Sequence, residues 1–144
     1  EQQVAETEKL LERFAKESTA QIDVSKYLRI CEQLGQEPDP AKMPLELSEL
    51  PEEVQVAFFM FSLLPDHWEG MSGTYMGKYW DGLDYFFKLY EVENSKIIFY
   101  FMKMWERILV AQRAEDAEKR RKADERKAKM SAGGGKQYTH NVQG

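Results

Sequence analysis

The sequence predicts an all-α protein: a small bundle of about four to five helices, a long charged C-terminal helix and a flexible tail. Three observations predict it. Apolar residues recur at three- and four-residue spacing along most of the chain, the periodicity of an amphipathic helix. Asp, Pro and Asn stand where those patterns begin, and Gly and Pro where they stop. The charge also divides: residues 1–111 carry 11 Lys+Arg against 20 Asp+Glu, and residues 112–144 carry 9 against 5. An acidic body with a basic arm is an asymmetry typical of a binding segment.

Each element follows from its own pattern. Val4, Leu10, Leu11 and Phe14 predict a helix over residues 4–17, which Ser18, Thr19 and Ala20 interrupt. Asp23 is a good N-cap and Gly35 a good stop for a second helix, whose face carries Val24, Tyr27, Leu28, Cys31 and Leu34. Residues 36–51 form a connector, because Pro38, Pro40, Pro44 and Pro51 prevent regular structure from propagating; Leu45, Leu47 and Leu50 suggest that it packs on the body. Pro51 followed by Glu52 and Glu53 is a helix start, with carboxylates near the positive end of the dipole. The helix they open, residues 52–64, is apolar on nearly every side and is expected to be the buried centre of the bundle.

Residues 66–77, with Gly70, Gly73 and Gly77 among His67, Trp68, Met71, Tyr75 and Met76, are expected to be a loop with aromatic anchors. A fourth helix is expected from Lys78 to Tyr90, with Trp80, Leu83, Phe86, Phe87 and Tyr90 on its apolar face. Asn94 can cap the last helix, expected from Ser95 to about Met130. Its first half is rich in Ile, Phe, Met and Trp105. Its second half is alanine and charge, with Glu115/Lys119, Asp116/Arg120, Glu118/Lys122 and Glu125/Lys129 each four apart and poised to pair. The domains expected are thus a helical body over 1–111, a helical arm over 112–130, and a Gly-rich tail over 131–144. Stability is expected to depend on Phe58, Phe61 and Trp105.

The chain has 42% hydrophobic and 12% aromatic residues, enough for one core, and no apolar run approaches the ~20 residues needed to span a bilayer. The first twenty residues are charged throughout and do not read as a secretory signal. Cys31 is the single cysteine, which excludes an internal disulfide and reads as a buried, inert thiol. Gly73 to Lys78 resembles a phosphate-binding loop only superficially. Three residues separate the glycines where four are needed, and Tyr79 stands where Ser or Thr belongs. His67 with Asp66 and Glu69 is a weak metal candidate, since no second histidine stands at helical spacing. Ser72, Thr74 and His67 form no nucleophile elbow. No cofactor, metal, catalytic residue or small-molecule substrate is therefore expected, and no enzyme activity.

Interaction with other protein subunits, including a second copy, is the expected mode of action. Interface cores favour aromatics and Met, which singles out Trp68, Tyr75, Trp80, Phe99, Trp105 and Tyr138, and the charged arm expected to reach a neighbour adds Arg120, Arg121, Lys122 and Arg126. Segment 119–122 is also the best nucleic-acid candidate, though five acids interleaved in the arm and the lack of aromatics there count against it. Without a hydrophobic face the arm is not expected to enter a membrane.

The phrases Asp23-Val-Ser-Lys-Tyr-Leu, Glu37-Pro-Asp-Pro, Val54-Gln-Val-Ala-Phe-Phe-Met-Phe and Trp68-Glu-Gly-Met-Ser-Gly-Thr-Tyr-Met-Gly-Lys resemble small proteins of marine phages with contractile tails. The resemblance covers roughly residues 23–92. It implies a virion component, tail-associated, or else a tail-assembly chaperone absent from the mature particle. The implied location is the virion, or the host cytoplasm during assembly. No catalytic residues come with it.

Overall fold

The computed structural model describes residues 1–19 and 23–135. Five α-helices and one short hairpin follow in order: α1 (Gln2–Thr19), α2 (Val24–Leu34), α3 (Glu52–Ser62), β1 (Asp66–Trp68), β2 (Tyr75–Lys78), α4 (Leu83–Leu89) and α5 (Ser95–Gly135). The chain is mostly helical, as its periodicity predicts. It divides into two compact units, Glu1–Gln112 and Arg113–Gly144.

Local signals set the bounds of α2. The Asp23 carboxylate accepts the Lys26 N–H at 2.7 Å, and Gly35 closes the helix in the left-handed conformation at φ +64°. The Gln36 N–H then donates to the Cys31 carbonyl at 2.9 Å, so the last turn is satisfied without solvent. Cys31 is buried, but Leu28 and Leu34 on the same face are exposed. Periodicity identified an apolar face here; it carried no information about what covers it.

The connector is tied to α1 by one ion pair. Arg13 Nε donates to Glu17 Oε1 at 2.7 Å, and its Nη2 donates to the Met43 carbonyl at 2.6 Å. The second Glu17 oxygen accepts the Leu45 N–H at 2.7 Å. A short 3-10 turn, Leu47–Glu49, carries the chain on to Leu50, which is buried.

Helix α3 buries Val54, Ala57, Met60 and Phe61 against Leu11 and Ala15 of α1 and against Ile98, Met102, Trp105 and Ile108 of α5. Trp105 lies 4.4 Å from Phe58 and 6.0 Å from Phe14 between ring centroids, so three helices meet at one aromatic cluster. The expectation that α3 is buried all round needs correction. Phe59 is 47% exposed, because only one side of α3 is covered by α1 and α5.

Two further expectations are corrected between residues 64 and 83. The segment read as a loop contains an antiparallel hairpin, with Asp66 opposite Lys78, His67 opposite Gly77 and Trp68 opposite Tyr75, and a bulge after His67. Tyr75 and Gly77 point inward and Met76 outward, the alternation of a half-buried strand. The fourth helix starts at Leu83 rather than at Lys78, because Lys78 completes β2 and Trp80 belongs to the turn after it. At the far end, α5 continues to Gly135, five residues beyond the stop expected at Met130.

Candidate interaction surface

A single carboxylate fastens the hairpin to α5. Glu106 Oε2 accepts the Lys78 N–H at 2.8 Å and the Trp80 indole N–H at 2.7 Å, and its Oε1 accepts Lys103 Nζ at 3.0 Å. Burial pushes the Glu106 carboxyl up, but the Lys78 N–H, Lys103 and the Trp80 indole outweigh burial and hold it below the ordinary carboxylate range. Gly77 makes this approach possible. A Cβ there would stand 2.5 Å from Glu106 Oε2, and its φ of +100° is one that side-chain-bearing residues rarely adopt. Lys103 also lies over the Trp80 ring at 4.5 Å, and Phe99 meets that ring edge-on at 5.6 Å. Lys78, the lysine of the superficial phosphate loop, is occupied: its ammonium pairs with Asp66 at 2.9 Å and donates to the Leu64 carbonyl at 3.0 Å.

The weak metal candidates point to separate partners. His67 stacks on Tyr79 at 4.5 Å, and Asp66 accepts from Lys78 and from the Tyr75 hydroxyl. Glu69 accepts from the Ser72 hydroxyl and from the N–H groups of Ser72 and Met71, which hold its carboxyl below the ordinary range. It closes the hairpin turn.

The residues singled out for partner binding separate into three groups. Tyr75 and Trp105 are buried within this chain, so their rings are taken up by its own packing. Trp80 is partly covered by the Glu106 clamp, Phe99 beside it keeps nearly half its surface exposed, and Trp68, which packs on Tyr75 in the hairpin, is about half exposed. Arg120, Arg121, Lys122 and Arg126 are exposed on α5, and Tyr138 lies outside the described residues.

Sequence reasoning missed an open cleft of about 480 Å³ beside α3. Val56, Phe59, Met60, Tyr90, Val92 and Ile98 supply its apolar lining, and Glu52, Glu53, Glu91 and Glu93 surround them. Phe59 and Tyr90 meet edge-to-face at 5.1 Å, and each is about half exposed. None of these four carboxylates makes an ion pair among the described residues. The chain turns from α4 into α5 here through Glu91 at φ +49° and Asn94 at φ +55°. Asn tolerates that conformation and Glu seldom adopts it, so the acidic wall is held in place by a strained turn. The Asn94 carbonyl then receives the Ile97 N–H at 3.0 Å and starts α5. A second cleft, of about 500 Å³, opens at Val4, Leu10, Ile97 and Phe101 and shares Glu53 with the first.

Within the second unit every residue from 117 to 132 is exposed. Of the four pairs expected along this arm, Glu115 and Lys119 meet at 3.2 Å. Glu118 and Glu125 turn instead to Arg121, at 2.6 and 2.7 Å. A guanidinium fork can hold two carboxylates where an ammonium offers one point charge. Lys129 and Arg126 are thereby left without a carboxylate at ion-pair distance among the described residues, and Lys122 is left with only the longer-range attraction of Glu118. No protein-family model, curated protein or solved structure matches this chain. Among the described residues, no helix is long and apolar enough to cross a membrane.

Proposed function

We propose that this chain is a non-enzymatic structural adaptor that works through protein–protein contacts, with its acidic body and its charged helical arm as two separate contact elements. The observation that carries this reading is the pairing of half-exposed aromatics around an acid-rimmed cleft on the body with an arm that has no core of its own. Surface aromatics concentrated around a concavity are the usual anchors of a protein interface. The setting proposed is a tailed-phage particle, with the protein associated with the tail. It rests on the resemblance of residues 23–92 to small proteins of contractile-tailed marine phages. Other subunits of the particle are the partners.

The open apolar cleft also favours a second reading, a tail-assembly chaperone that holds an unassembled subunit and leaves. The adaptor stays in purified particles and the chaperone does not. The unpaired cations of the arm favour a third, weaker reading, contact with nucleic acid, which would show binding that falls steeply as salt rises.

Removing residues 113–144 is expected to leave the cooperative melting of the body intact while abolishing co-sedimentation with assembled particles. Circular dichroism and sedimentation read the two halves of that expectation. Co-sedimentation at the parental level, or loss of the body's helical signal, would contradict the division of labour.

A further inference from the structure

The body cleft and the arm have complementary chemistry. Four carboxylates, Glu52, Glu53, Glu91 and Glu93, surround an apolar lining in which Phe59 and Tyr90 are half exposed. Four carboxylates around one cleft make its rim negative, and a cationic occupant complements that charge. Glu52 and Glu53 occupy the first turn of α3 and Glu93 directly precedes the start of α5, where the helix dipole favours a carboxylate, but Glu91 follows the C-terminal end of α4 and has no such compensation.

The arm offers the matching pattern. Lys122, Arg126, Lys129 and Met130 are spaced i, i+4, i+7 and i+8 and share one face of α5. Arg126 and Lys129 have no carboxylate at ion-pair distance among the described residues, and Lys122 feels only the longer-range attraction of Glu118, whose carboxylate is engaged by Arg121. Met130 is 80% exposed and is the one large apolar side chain of the described arm. A flexible thioether suits an aromatic-lined cavity that no rigid side chain fills.

We propose that the Lys122/Arg126/Lys129 stripe of one copy docks on the acid-rimmed cleft of a second copy, with Met130 packing on the exposed side of the Phe59–Tyr90 pair. Cleft and arm are different patches, so the contact is head-to-tail. It closes as a reciprocal arm-exchanged dimer or a larger ring, or runs on as an open filament. The proposal rests on the adaptor reading in taking the arm as a contact element, and adds that one of its partners is the chain itself. The contact is largely electrostatic at its rim, so it weakens as salt shortens the range of the charges.

The test is multi-angle light scattering of the full chain across protein concentration, at low and high salt, with charge-reversed variants. The parental chain is expected to gain mass with concentration at low salt and to return to the monomer at high salt. Arg126→Glu/Lys129→Glu and Glu91→Lys/Glu93→Lys are each expected to stay monomeric alone. Their equimolar mixture is expected to associate again, because each variant supplies the parental partner of the other's intact patch. Recovery in the mixture also shows that both variants are folded. Met130→Asp, on a segment with no core to disturb, is expected to weaken association at least tenfold. A parental chain that stays monomeric at every concentration overturns the proposal. So does association that survives either charge reversal, or a mixture that remains monomeric. A monomeric parent that still co-sediments with particles through its arm would overturn self-docking alone and leave the adaptor reading standing.

Discussion

Trp105→Ala is expected to destabilise the body by about 3–5 kcal/mol, the usual cost of truncating a buried aromatic. Trp105 is 8% exposed and lies where α1, α3 and α5 converge, against Phe14 and Phe58 and beside Met102 and Ile108. Its removal leaves a cavity bounded by three helices, and none of them can close it without moving away from the other two. A small domain has about 5–15 kcal/mol of stability in all, so the variant should be close to unfolding at room temperature. Denaturant titration checks this through a lower midpoint at unchanged slope. Phe58, being only partly buried, is expected to show a smaller loss on the same measurement. A Trp105→Ala midpoint within error of the parent would contradict the placement of the core.

The second large effect belongs to Glu106. Glu106→Ala leaves the Lys78 N–H and the Trp80 indole N–H without their acceptor in a partly buried site, at an expected cost of about 2–3 kcal/mol. Glu106→Gln is expected to cost less, because an amide oxygen still accepts both bonds. The pH dependence has a definite sign. The folded-state carboxyl is held below its ordinary value, so its stabilising contribution is full above the ordinary carboxylate pKa of about 4.3 and is lost as pH falls through the lower, folded-state value. The stability gap between the parent and Glu106→Gln should therefore be constant near neutrality and shrink on acidification. A gap that stays constant to the acid limit of folding would show that the charge of Glu106 contributes nothing.

Elements defined by local chemistry were legible in the sequence. Asp23 and Gly35 bracket α2 because a cap and a left-handed stop depend on residues within one turn. Pro51, Glu52 and Glu53 mark the start of α3 for the same reason. The hairpin was not legible in that way. Its strands are three and four residues long, too short for a period-two pattern to stand out from a Gly-rich loop. What fixes them is Glu106, 28 residues beyond Lys78, and in sequence Glu106 looks like any charged position on an amphipathic helix.

The candidate interaction surface divides along the same line. That Trp68 and Phe99 are available and Tyr75 and Trp105 are not depends on which neighbours cover them, which composition does not encode. The cleft joins residues of α3 to a turn some forty positions later, so its acidic rim was invisible as a cluster. The arm was legible as a charged helix, but its cationic stripe was not. Spacing predicts which pairs are able to form, and the competition that Arg121 wins is a matter of side-chain geometry.

A body with its own core carries a helical arm without one, and the arm's lasting protection is expected to come from its partners. Amide hydrogen exchange of the full chain tests it most directly, in dilute solution and in the assembled state. In dilute solution the amides of α3 and of residues 98–108 should be the most protected, and those of residues 113–135 should exchange far faster. The arm should gain protection on assembly. Arm amides protected as strongly as α3 in the dilute chain, or unchanged by assembly, would contradict the account.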